Sequence, residues 1–160
     1  MTPQVRSWVL ALLVGVAGCA EVPAKQEAVG ERVTHPTEAF SVVVPPGWTS
    51  RPSRHGLSLV RELPYGGGYP SLSVRPVGPE DLPSLGFAGR RLKRPDGEAE
   101  YRYQHWSNTR GRGYRLEVLL RLNGTVLLIE AAVWDPAQRM DERFFDTEFW
   151  PIVNAVQAAR

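Results

Sequence analysis

The sequence predicts an α+β domain in which an antiparallel β-sheet of five to six strands packs against a C-terminal helix. Three observations carry that expectation. Glu98 to Trp106, Gly113 to Leu122 and Thr125 to Trp134 are long runs rich in aromatic and β-branched residues, separated by turn signals. Shorter runs punctuated by proline and glycine precede them. After Asp135-Pro136, the apolar residues Phe145, Phe149, Ile152, Val156 and Ala159 recur at the spacing of one helix face. Strands followed by a single helix make an α+β layer arrangement.

The chain opens differently. Met1 to Ser7 carry one positive charge, at Arg6, and Trp8 to Ala17 are uninterrupted apolar residues that end in Gly18 and Cys19. That is the charged, apolar, small-residue order of a secretory signal. A membrane-spanning helix needs about 20 apolar residues, and Glu21 stops this run too early. Residues 1–18 are therefore expected to be a signal peptide. Residues 19–37 hold prolines and charges without a sustained period, which predicts a flexible tether. The folded domain is expected over residues 38–160.

Within it, Ala39 to Val44 is rich in β-branched residues and runs into Pro45-Pro46-Gly47, a strand meeting a turn, with Trp48 just beyond. Leu57 to Leu63 and Leu72 to Pro76 alternate as two more short strands around a Gly66-Gly67-Gly68 loop. Val77 to Pro95 holds three prolines and three glycines, so it reads as loop with at most a short helix near Glu80 to Leu85. Asn123-Gly124 is a type I′ hairpin signal, because that turn needs positive φ at both central residues. Pairing Leu122 with Thr125 then sets Leu120 opposite Leu127, Val118 opposite Ile129, Leu116 opposite Ala131 and Tyr114 opposite Val133 on the core face. Glu117 falls opposite Glu130 on the other face. Pairing Trp106 with Gly113 adds Arg102 opposite Glu117. Pro151 disfavours helical dihedrals at Trp150, which predicts a kink or two short helices meeting there.

Composition narrows the chemistry. The chain has 160 residues, 42% of them hydrophobic, and a net charge of +2, enough for one compact domain and no sign of a nucleic-acid partner. Seventeen of its nineteen basic residues are arginine; the two lysines are Lys25 and Lys93. Its single cysteine excludes an intramolecular disulfide and a cysteine-rich metal site. His35, His55 and His105 lie in tether, loop and strand, without metal-ligand spacing. No serine sits in a Gly-x-Ser-x-Gly elbow, and Gly66-Gly67-Gly68 lacks the following lysine of a phosphate cradle. No catalytic residue, metal site or cofactor is assigned. Glu117 opposite Glu130 is the one local conflict, since like charges across a strand pair destabilise. Arg102, Glu117 and Glu130 are expected to form a surface ion ladder, with Arg115 diagonal to it. The run Arg90-Arg91-Leu92-Lys93-Arg94 is expected to be a solvated loop, with contact to anionic headgroups as its alternative.

Val16-Ala17-Gly18-Cys19 resembles the lipobox of bacterial lipoproteins. The resemblance implies cleavage between Gly18 and Cys19, acylation of the Cys19 thiol and of the new N-terminus, and, because Ala20 is not aspartate, the outer membrane facing the periplasm. Phe40-Ser41-Val42-Val43-Val44 followed by Pro45-Pro46-Gly47-Trp48, antiparallel strands, a long hairpin and a helix bearing Phe145, Phe149, Ile152 and Val156 resembles the PsbP-like superfamily from Thr37 to Arg160. That superfamily includes extrinsic proteins of the oxygen-evolving complex, nuclear Ran-binding relatives and envelope lipoproteins of the DcrB type. It implies a binding or accessory module and brings no catalytic set. The expected function is a membrane-anchored, non-enzymatic envelope lipoprotein serving a protein partner in the envelope, through Trp48 or the Val77 to Pro95 loop. The alternative is a periplasmic small-ligand carrier or a hydrolase whose site is assembled only in three dimensions.

Overall fold

The computed structural model describes residues 28–35, 40–61, 69–135 and 143–158. The signal peptide and the cleavage and acylation residues Gly18 and Cys19 lie outside them. Two antiparallel sheets are present. The larger has seven strands in the order β3-β4-β5-β9-β8-β7-β6, with β3 at Trp48–Ser53, β4 at Gly56–Arg61, β5 at Ser71–Pro76, β6 at Arg90–Arg94, β7 at Gly97–Asn108, β8 at Gly111–Leu122 and β9 at Thr125–Asp135. The smaller has the order β1-β2-β10, from Glu31–Thr34, Phe40–Val44 and Gln157–Ala158. The α+β class stands, but the described residues hold ten strands in two sheets where the sequence predicts five to six in one.

The β8–β9 register follows from its turn. Asn123 has φ 43° and Gly124 φ 88°, the two positive values a type I′ turn demands, and Leu122 pairs with Thr125. Every pair down the ladder then falls as expected, including Leu116 with Ala131 and Glu117 with Glu130. The pairing of β7 with β8 puts Trp106 opposite Gly113 and Arg102 opposite Glu117. Leu116, Val118, Leu120, Leu127 and Ile129 thereby share one buried face with Leu57, Leu59, Leu72 and Val74. Phe40 and Val42 of the small sheet and Phe145, Phe149, Trp150, Ile152 and Val153 of the C-terminal helix complete the core.

That helix spans 143–154 and changes pitch. Phe145–Phe149 is π-helical, closed by the Trp150 N–H donating to the Phe145 carbonyl, and α1 (Trp150–Asn154) continues it. Pro151 has no N–H to give the carbonyl four residues back and its ring crowds that carbonyl, so the wider turn ahead of it accommodates the ring. The change of pitch next to Trp150 is the second of the two expected outcomes, two short helical segments meeting there. The helix ends at Asn154 rather than running on to Val156 and Ala159. Val156 is buried beyond the helix, Gln157 and Ala158 pair with Ser41 and Phe40, and Ala159 lies outside the described residues.

Two expectations about loops are corrected. Glu31–Thr34, read as tether, is a strand antiparallel to β2, because β2 has a second edge that the chain just before it fills. Order therefore begins no later than Ala28, whose N–H donates to the Pro151 carbonyl at 3.1 Å. Arg90–Arg94, read as a solvated loop, is the edge strand β6 against β7. Arg94 turns inward from it: Nη1 donates to the Val153 carbonyl at 3.0 Å, and Nη2 to the carbonyls of Asn154 at 3.2 Å and Val156 at 3.1 Å. Its Nε and Nη2 also hold Asp96 at 2.9 and 3.0 Å. One guanidinium thus satisfies carbonyls that a helix C-terminus leaves without partners and locks the edge strand to the helix.

Arg94→Ala is expected to cost about 2–3 kcal/mol, because charge-assisted bonds are lost and buried carbonyls are left unpaired; urea unfolding measures it. Arg94's hydrogen bond, opposed by partial burial and helped by its charge, holds the Asp96 carboxyl below its ordinary 3.8. A depressed folded-state pKa gives stability that is complete above the unfolded value and lost as pH falls through the folded one. Asp96→Asn should therefore flatten the stability profile below about pH 4 and nowhere else.

Candidate functional site

The face of the large sheet turned away from the helix carries a continuous polar row. Register places Arg51, Ser58, Ser73, Glu130, Glu117 and Arg102 side by side across β3, β4, β5, β9, β8 and β7. The row is not a fully exposed ladder. Glu117 is 7% exposed, and its carboxylate is gripped on both sides: Arg102 donates through Nε to Oε2, and Arg115 Nη1 lies 3.5 Å from Oε1. Two guanidiniums at one carboxylate offset the repulsion from Glu130 across the strand. Arg102 also donates to the Gly86 carbonyl at 3.3 Å and lies 4.7 Å over the Phe87 ring. It thereby holds the segment after the 3₁₀ turn Pro83–Leu85 over this face. The sequence-predicted trio is brought together as one structural unit, with Glu117 at its centre.

The histidines separate. His35 is buried, stacked 5.6 Å from Phe40, with Nε2 hydrogen-bonded to the Ser53 carbonyl at 3.0 Å. His55 is exposed in the β3–β4 turn, and His105 is exposed near the far end of β7. Trp48 belongs to the core, edge-on to Phe149 at 5.7 Å, so it offers no partner surface.

Two open clefts lie at one end of the large sheet. The first, about 240 Å³, is lined by Ala28, Val29, Pro45, Pro46, Trp48, Arg61, Thr147, Glu148 and Pro151, with the Arg61–Glu148 ion pair in its wall. The second, about 300 Å³, is lined by His105, Trp106, Ser107, Arg112 and Tyr114. Both sit at or below the lower bound of small-molecule sites, about 300 Å³. In the wall of the second stands a residue whose place the sequence set without singling it out. Trp106 is 41% exposed, and its indole covers the bare backbone of Gly113: a Cβ there would meet the ring at 2.1 Å. Arg115 lies 5.8 Å over the same ring. Glycine opposite tryptophan was the available signal, since an aromatic across a strand pair shields a glycine that has no side chain of its own.

Glu117→Gln is expected to cost about 1–2 kcal/mol, because it strips the ionised acceptor from two guanidiniums. Glu130→Gln should stay within about 0.5 kcal/mol or stabilise slightly, since it removes a like charge. Chemical denaturation of both variants checks the asymmetry; equal losses would contradict it.

No protein-family model matches the chain, and no curated protein matches it. Among solved structures, a crystal structure from Bacteroides thetaiotaomicron is similar at a TM-score of 0.53 and 11% identity, covering 82% of this chain and 49% of that one. This chain thus spans about half the length of that protein. The Ran-binding protein Mog1p of Saccharomyces cerevisiae aligns at a TM-score of 0.49 and 12% identity, over 82% of this chain and 96% of Mog1p. At such identities the likeness to the Bacteroides structure concerns the fold alone.

Proposed function

We propose that the chain is a cell-envelope lipoprotein, acylated at Cys19 and projecting a PsbP-like domain that acts as a non-enzymatic binding or accessory module for another envelope component. The observation that carries it is the order Val16-Ala17-Gly18-Cys19 at the end of a ten-residue apolar run, with the chain's single cysteine at its last position. One acyl chain binds membranes marginally, while several on one residue anchor stably. The anchor faces the periplasm from the outer membrane, as Ala20 favours.

The domain's own chemistry supports a binding role. Its best-placed charged groups are occupied in holding the fold: Arg94 on the helix end, Glu117 between two arginines, Glu148 with Arg61. Its clefts are open and its exposed tryptophan lies on a sheet face, a geometry that suits docking of a surface rather than enclosure of a small molecule. The PsbP-like assignment rests on the Pro45-Pro46-Gly47-Trp48 turn, the β8–β9 hairpin and the terminal helix packed on the sheet.

Palmitate labelling and mass measurement of the protein from membranes test the anchor. The wild-type chain should begin at Cys19, carry acyl groups and sediment with membranes, and Cys19→Ala should lose the label and the sedimentation. An unlabelled wild-type chain, or a Cys19→Ala chain that sediments equally, would refute the anchor.

A further inference from the structure

We propose that the end of the large sheet bearing Trp106, Arg110 and Arg112 docks on the anionic headgroups of the bilayer that holds the chain. This rests on the Cys19 anchor proposed above. The register divides the sheet's connections between two ends. The β3–β4 turn at Arg54-His55, the β6–β7 turn at Pro95-Asp96 and the β8–β9 turn at Asn123-Gly124 lie at one end. The start of β3, the start of β5 and the β7–β8 turn at Thr109-Arg110 lie at the other. Exposed apolar groups concentrate at this second end. Val29 is 85% exposed, Tyr69, just before β5, is 64% exposed, and Trp106 is 41% exposed.

The chain also arrives there. Ala28 is bonded to Pro151 and shares a cleft with Pro45, Pro46 and Arg61, the residues around the start of β3 and the end of β4. Cys19 precedes Ala28 by nine positions, and nine extended residues span at most about 30 Å. An anchor at Cys19 therefore holds this end within about 30 Å of the bilayer surface. With the nineteen-residue tether that the sequence suggests, the domain would roam further; β1 removes that freedom.

Charge at this end suits an anionic surface. Arg110 and Arg112 are exposed, and the Arg115 side chain is 41% exposed beside the Trp106 ring. Of the described carboxylates at this end, Asp135, opposite Arg112, is buried, and Glu148 is paired with Arg61. Tryptophan and tyrosine favour the headgroup level, and each arginine near an anionic surface contributes about 1 kcal/mol. Tethering raises the effective concentration to the millimolar range, so a weak intrinsic affinity is enough to keep the end docked.

The single cysteine supplies the test. The mature chain is coupled through Cys19 to maleimide lipid in vesicles containing brominated phospholipid, and quenching that depends on Trp106 is taken as the difference from Trp106→Phe. Phosphatidylglycerol vesicles should quench Trp106, and the quenching should be lost on phosphatidylcholine and in Arg110→Gln/Arg112→Gln. Arg54→Gln/Arg121→Gln, at the opposite end, should leave it unchanged. Absent Trp106 quenching on phosphatidylglycerol, or equal loss from the two arginine pairs, would overturn the docking. The synthetic link makes this outcome independent of natural acylation, which the palmitate experiment decides separately.

Discussion

A two-residue loop leaves β8 and β9 no freedom of register, and most of the molecule follows from that constraint. Side chains alternate between faces with a period of two, so a slip of one position would send Leu116, Val118, Leu120, Leu127 and Ile129 to solvent and bring Glu117 and Glu130 into the core. Positive φ at Asn123 and Gly124 holds the closing pair. β7 and β5 then dock on either side of the hairpin in matching phase. The same phase puts Arg102 beside Glu117 and Trp106 over Gly113, on the face opposite the core.

Arginine forks tie the remaining elements to this frame. Arg94 joins the edge strand to the helix end, and Arg32 does the same from the small sheet, donating to Ser41 Oγ and the Ala155 carbonyl at 3.1 Å each. Arg102 fastens the Gly86–Phe87 segment to the outer face. A guanidinium presents several donors in fixed directions, so one side chain satisfies two or three carbonyls or a carboxylate and a carbonyl together. The abundance of arginine over lysine has this structural use whatever its origin in composition.

The central hairpin was legible because its signals agree: strict alternation and a turn with one backbone solution. The Arg102–Glu117 contact followed from that register. The edges were not legible. Glu31–Thr34 and Gln157–Ala158 are short strands whose pairing depends on β2 rather than on their own pattern, and the charges of Arg90–Arg94 are what edge strands carry to resist further pairing, so they read as loop. Arg94 was hidden for the same reason: a basic run gives no hint that one member turns inward. The helix was overextended because Val156 stays buried after Asn154, which preserves the apolar spacing while the backbone has already become a strand.

Where the chain enters the domain and where its exposed aromatic and arginine side chains stand are both consequences of this register and of β1, just ahead of which Ala28 lies nine positions after Cys19. In the proposed docking, the anchor and the docking end lie on the same side, which would set the domain's attitude as well as its distance from the membrane. The opposite end, with the Arg54-His55 and Asn123-Gly124 turns, would then face away from the bilayer. Orientation on the bilayer is the most direct test. Nitroxide labels on Thr109→Cys, in the β7–β8 turn, and His55→Cys in the acylated chain on phosphatidylglycerol vesicles would be read by their accessibility to a water-soluble nickel chelate. Strong protection at position 109 with full access at position 55 is the predicted result, and equal access at both would contradict it.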